Sequence, residues 1–157
     1  MNKLKFLLPN KKEIDLDMLE IAMEDNDLSN QYFLNTKTGE IEFYSEYDED
    51  ASEKLNEIED NNQFVPIERL PSYVSYNWMK EFTENVVAKE DSQLADKLAI
   101  ALNGKGAFRR FKDCLEYSDE RFLKLWYQWK EECLREECAK WLRGLKIDIK
   151  EQNQPQK

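Results

Sequence analysis

Histidine is absent from this chain. Its absence removes Ser-His-Asp and Cys-His catalysis and every histidine-based metal motif. Cysteine is scarce, with only Cys114, Cys133 and Cys138. The count is odd and no CxxC pair occurs, which argues against a disulfide framework or a zinc knuckle. All three lie where the apolar spacing is helical, so they read as small core residues, a usage that suits a reducing cytoplasm. No stretch reaches the ~18 apolar residues of a membrane span. The opening run Lys3-Leu4-Lys5-Phe6-Leu7-Leu8 has the charge of a signal start, but Pro9-Asn10-Lys11-Lys12 stops it too early for an h-region. The expectation is an unprocessed, cytoplasmic protein with no membrane partner.

What is present is charge and apolar mass. Apolar residues make up 41% of the 157 and aromatics 12%, too many for a disordered chain. Charged residues are 36% and the formal net charge is -10, so the surface is densely ionic. The charge is uneven: residues 13–60 hold 17 acids and 2 bases, whereas residues 101–157 hold 10 acids and 13 bases. The front half should repel nucleic acid, making direct binding there unfavourable. The length fits one domain, read as residues 1–149, with a polar, disordered tail at 150–157. There is no internal repeat.

The periodicity places the elements. Residues 4–8 read as a short strand or a tag-like extension. Asp15 caps a helix from about 16 to 25 carrying Leu16, Leu19 and Met23. Gln31–Leu34 and Glu40–Tyr44 read as a hairpin about Asn35–Gly39, with Ile41 and Phe43 inward and Glu40, Glu42 and Tyr44 outward. The acid run 46–60 includes a short helix, with Ser52 as its cap and Leu55 and Ile58 inward. Gln63–Ile67 is an edge strand because Pro66 has no ladder donor. Helices follow at about 71–87, at 92–102 capped by Asp91, from Gly106 or Ala107, and at 119–143 capped by Ser118. The expected fold is α+β: a small antiparallel sheet of about three strands packed by about five helices, the C-terminal one long.

Glycine is also sparse, and two of the four stand one residue apart in Gly104-Lys105-Gly106-Ala107-Phe108-Arg109-Arg110-Phe111-Lys112-Asp113. A chain that turns through two glycines into a helix leaves backbone N–H groups without helical partners, at the positive end of the helix dipole. Lys105 stands in the turn, with Arg109, Arg110 and Lys112 just beyond. Together with Gly104 and Gly106 they form a candidate site for a phosphate or carboxylate. The stretch is not a P-loop, because a helix precedes it and Gly106 stands where Ser or Thr is needed. It is not a dinucleotide fingerprint either, because Arg109 replaces the third glycine. No cofactor is therefore implied. The plainer reading is a tight helix–helix corner. Phe108 and Phe111 would then be packed inward, and Arg109, Arg110 and Lys112 would pair with the carboxylates of residues 46–60.

That decapeptide also carries a resemblance. With Thr38-Gly39-Glu40, Trp78-Met79-Lys80-Glu81-Phe82, Trp126-Tyr127 and Trp141-Leu142, it resembles a bacterial family catalogued only as uncharacterised, of the UPF type. The likeness spans residues 13–147. It implies helices around a small sheet and assigns no catalytic residue.

Other constellations have plainer readings. Asp48-Glu49-Asp50 lacks the spaced ligands and glycine of a calcium loop. Glu81 and Glu84 read as an exposed helical face, and Trp126, Trp129 and Trp141 as core at helical spacing. The functional expectation is a non-catalytic cytoplasmic binding or regulatory protein that holds an anionic group of a protein partner or phosphate-bearing ligand at residues 104–112. Two alternatives stay open. One is an enzyme acting on a phosphorylated small molecule, with Lys105 and Arg109 as oxyanion stabilisers and Glu81 or Asp113 as base. The other is an acidic protein that mimics nucleic acid charge toward a basic partner.

Overall fold

A computed structural model describes residues 2–155 of the chain, with side chains from 4 to 153. The described residues form two compact units, one of residues 2–69 and 135–155, the other of residues 70–134. The sequence reading takes residues 1–149 as one domain; two of the chain's four prolines, Pro66 and Pro71, flank the earlier boundary between the units. The later boundary falls inside a helix.

The first unit contains β1 (Asn2–Leu7), α1 (Leu16–Glu24), β2 (Asn30–Asn35), β3 (Ile41–Ser45), α2 (Ala51–Glu59) and β4 (Phe64–Pro66). Asp15 caps α1 by accepting from the Met18 N–H at 3.1 Å, worth about 1 kcal/mol. β2 is central, paired antiparallel with β3 and β4 in the order β3-β2-β4. Pro66 stands on the edge strand opposite Phe33, where its missing N–H costs nothing. The outer edge of β3 is blunted by Lys54, whose Nζ donates to the Phe43 carbonyl at 3.0 Å.

The hairpin faces are reversed from the sequence expectation. Tyr44 is buried with Phe33 and Ile58, and Ala51, Leu55 and Phe64 pack against them. Phe43 is 40% exposed, though its ring lies 5.2 Å from that of Tyr32. The reason is that β2 is covered on both faces: Tyr32, Phe33, Leu34 and Asn35 are all buried in succession. Strict alternation fails for a strand packed on two sides. Ser52 is not the cap of α2 either; Asp50 stands at that position and makes no side-chain capping bond.

A second ribbon joins β1 to β5 (Lys150–Pro155), antiparallel, from Asn2↔Pro155 to Leu7↔Lys150. This corrects the expected disordered tail over 150–155; residues 156 and 157 lie outside the described residues. Nothing local to Lys-Glu-Gln-Asn-Gln-Pro favours a strand. The partner strand and an Arg143–Glu151 ion pair at 2.5 Å supply what propensity does not.

The second unit contains α3 (Ser72–Phe82), α4 (Ser92–Ala101), α5 (Ala107–Glu116) and Glu120–Leu134 of α6 (Glu120–Arg143). A π-helical segment, Thr83–Val87, continues α3. Its wider turn brings Phe82 and Val87, five apart and both fully buried, toward one face. Phe82, Phe111 and Trp126 form a ring cluster with centroids 5.0–6.5 Å apart. Trp129 lies 6.0 Å from Phe82 and donates its Nε1–H to the Trp78 carbonyl at 3.1 Å. Asp91 caps α4 through the Leu94 N–H at 3.0 Å. Ser118 does not cap α6: its hydroxyl donates to the Leu115 carbonyl at 2.7 Å, and Asp119 instead accepts from the Arg121 N–H at 3.0 Å. The six helices of nine residues or more and the small antiparallel sheets make this an α+β fold with a long C-terminal helix, as its periodicity implies.

Candidate functional site

The corner between α4 and α5 is built by its two glycines. Gly104 has φ +76° and Gly106 has φ +80°, both in the left-handed region that costs other residues about 1–2 kcal/mol. Gly106 is the N-cap of α5 and offers no side chain to its N–H groups. Three first-turn amide protons therefore depend on water or a ligand.

Arg110 explains the rest of the corner. Its Nε donates to the Ala101 carbonyl at 3.1 Å and its Nη2 to the Asn103 carbonyl at 2.5 Å. Its Nη1 donates to the Lys105 carbonyl. Ala101 ends α4, so the guanidinium satisfies a carbonyl that the helix leaves orphaned, plus those of Asn103 and Lys105 in the turn and, at 3.4 Å, that of Gly104. The Leu98 and Ile100 carbonyls are met by backbone N–H groups of Leu102 and Asn103. Gly106 also makes room for this fork: a Cβ there would lie 2.8 Å from Arg110 Nη1.

The six sequence-designated residues thus divide. All six are exposed, but Arg110 alone spends its side chain on backbone carbonyls. The Arg109 side chain is 91% exposed, and its only ion pair among the described residues is Asp113 at 3.9 Å, one turn on. Lys105 and Lys112 have no side-chain partner among the described residues. Arg110 donates to backbone carbonyls of the corner and so acts as its strut. It also corrects the expectation that carboxylates would match it. Phe111 is 1% exposed and anchors the corner in the ring cluster, whereas Phe108, expected inward, is 47% exposed. Ala107 takes the inward position, and Ile100 at the end of α4 is 70% exposed.

Candidate acids elsewhere are ordinary. Glu81 and Glu84 are exposed on α3 and its π segment, and Trp126 is buried among rings. Among the described residues no group of three or more Cys, Asp or Glu is placed to hold a metal ion. No helix among them is long and apolar enough to cross a membrane.

The sequence did not suggest two clefts in the first unit. One, about 350 Å³, is lined by Leu4, Lys5, Glu13 and Arg135 among others. Arg135 is bound there to Glu20 at 2.9 Å and to Asp17 at 3.0 Å, and Lys5 to Glu13 at 3.5 Å, so its charges are mutually satisfied. The other, about 470 Å³, lies between loops distant in sequence.

The sequence profile of the uncharacterised protein family UPF0158 matches residues 9–155, nearly the whole chain. The chain belongs to the UPF0158 family. The matched residues of this UPF0158 member include the α4–α5 corner and β5, whereas β1 (Asn2–Leu7) lies before them. No curated protein and no solved structure matches this UPF0158 chain.

Proposed function

We propose that this UPF0158 protein is a non-catalytic cytoplasmic binding or regulatory protein that holds an anionic group of a partner at the start of α5. The single observation behind this reading is the uncapped, left-handed Gly106 start with Lys105, Arg109 and Lys112 exposed around it. Helix starts attract anions through their free N–H groups and dipole. Arg110 contributes by keeping the corner in shape.

Exposure favours a binder over an enzyme. Electrostatic stabilisation of a transition state needs preorganised charges in a water-excluded site. Arg109, at 91% exposed, is in water, where a unit-charge pair at 4 Å is worth only about 1 kcal/mol. Such a surface holds a group on a larger partner and releases it as salt rises.

Titration with a phosphate-bearing peptide tests the reading. Wild type should bind with affinity that falls with salt. Arg109→Ala and Lys105→Ala should each weaken it by about threefold to tenfold, as loss of one charge-assisted contact does. Equal or absent binding in wild type and Arg109→Ala would remove the reading.

A second reading concerns the acidic half. Glu46, Asp48, Glu49, Asp50, Glu53, Glu57, Glu59 and Asp60 are all exposed and none makes an ion pair among the described residues. This unneutralised run favours a basic partner, engaged as nucleic acid would engage it. Competition between the protein and a DNA duplex for a basic protein is the test, and lack of competition at low salt would count against it.

A further inference from the structure

The 470 Å³ cleft of the first unit is a candidate ligand site distinct from the α5 start. Four segments converge on it: Pro9 and Asn10 after β1, Thr36 in the hairpin turn, Asn62 and Val65 around the start of β4, and Leu145–Ile147 between α6 and β5. Its volume falls in the range of small-molecule sites, roughly 300–1,000 Å³. Pro9, Val65, Leu145 and Ile147 give it apolar walls.

The polar lining sorts into two kinds. Asn10 is used up at both ends: its Nδ2 donates to the Lys37 carbonyl at 2.7 Å, and its Oδ1 accepts from the Lys12 N–H at 3.0 Å. Thr36 donates both its N–H and its hydroxyl to the Gln63 carbonyl, each at 2.8 Å. These bonds fix the frame before any ligand arrives, which lowers the ordering cost of binding. Asn62 and Lys146 are different. Neither side chain has a partner among the described residues. The contrast with nearby cations is direct: Lys140 pairs with Glu137 at 3.5 Å and Arg143 with Glu151 at 2.5 Å.

We propose that this cleft binds a carboxylate carrying a short aliphatic tail, with Lys146 and the Asn62 amide on the carboxylate and the tail against Val65, Leu145 and Ile147. One ammonium and one amide match a single negative charge; a phosphate dianion would call for more donors. The apolar walls reward a tail and would waste a purely polar ligand. The same chemistry occurs at the end of a peptide with an aliphatic last residue and in a free short-chain acid.

The experiment uses the full chain and amide-resonance titrations with two probes: hexanoate, and a tetrapeptide ending in Val-Leu as its free acid and as its C-terminal amide. Resonances of the cleft segments should shift, with saturation below about 10 mM for the better probe. Lys146→Met keeps the stem and drops the charge, and should weaken binding by about fivefold or more. Val65→Trp should fill the cleft and abolish binding; Leu145→Trp is the second filling variant should the first fail to fold. A free-acid peptide that binds better than hexanoate assigns the peptide source, and the reverse assigns a free acid. No shift with either probe, a peptide that binds equally well as acid and as amide, or Lys146→Met within twofold of wild type would overturn the proposal. The Arg109→Ala variant should bind these probes normally, which separates this site from the α5 start.

Discussion

Replacing Arg110 by alanine should destabilise the protein without touching any carboxylate. The wild-type guanidinium donates to the carbonyls of Ala101, Asn103 and Lys105, and all three are left without it in the variant. A hydrogen bond with a charged partner contributes about 1.5–3 kcal/mol net. Water reaches this side chain and can replace part of each bond, so about 1 kcal/mol apiece is the fairer figure, or about 3 in all. Freeing the arginine returns about 1 kcal/mol of rotamer entropy. The expected loss is therefore about 2 kcal/mol, a fall in Tm of roughly 4–8 °C for a chain this size. Urea unfolding followed by circular dichroism measures it. Arg110→Lys keeps the charge but not the fork, and should recover less than half. Arg109→Ala, in a side chain 91% exposed, should stay within about 0.5 kcal/mol of wild type. If Arg110→Ala matches wild type within that margin, or costs no more than Arg109→Ala, Arg110 is not a strut of the corner.

Further outcomes follow from other contacts. Gly39 has φ +81° and a Cβ there would lie 2.2 Å from the Glu13 carbonyl oxygen, so Gly39→Ala should cost more than 2 kcal/mol by thermal melting. Gly104→Ala, with open space around it, should cost only the left-handed backbone penalty of about 1–2 kcal/mol. The Asp25 carboxylate accepts from the Tyr32 hydroxyl at 2.6 Å, the Asp27 N–H at 2.9 Å and Asn30 Nδ2 at 2.9 Å, which holds its pKa below its ordinary value of 3.8. That contribution is complete above pH 3.8 and is lost as pH falls through the lowered value, so Tyr32→Phe should raise the midpoint of acid unfolding. Burial, then the Asp25 bond, pushes the Tyr32 phenol up to about 12, and phenolate absorbance should lose its last-titrating tyrosine in the same variant. Burial pushes the Cys138 thiol up to about 12 as well, and it lies 3.6 Å from Met23 Sδ. It should resist alkylation until the protein unfolds, as peptide mapping after labelling would show.

Much of the fold was legible because its signals are local. Asp15 and Asp91 sit at helix starts, Gly39 at the hairpin turn and Pro66 on an edge, each acting through its own backbone. What stayed hidden depends on partners far along the chain. Lys150–Pro155 became a strand because β1 lies beside it, and Tyr44 turned inward because α2 covers that face of the sheet. The corner shows both sides of this. Two glycines announced a turn, and the cluster of cations announced charge. Which cation would be drawn back onto carbonyls five to nine residues earlier was not readable, since Arg109 and Arg110 differ only by 100° around one helix. The cleft was invisible for the same reason: Asn62 and Lys146 are 84 positions apart.

The β1–β5 ribbon has a consequence during synthesis. Its pairs join residues about 150 positions apart, so the ribosome has to deliver Lys150–Pro155 before the ribbon can close. Residues 70–134 emerge earlier and can condense around Phe82, Phe111 and Trp126 in the meantime. Until Lys150–Pro155 arrives, the Asn2–Leu7 edge that it will cover stays open to other strands.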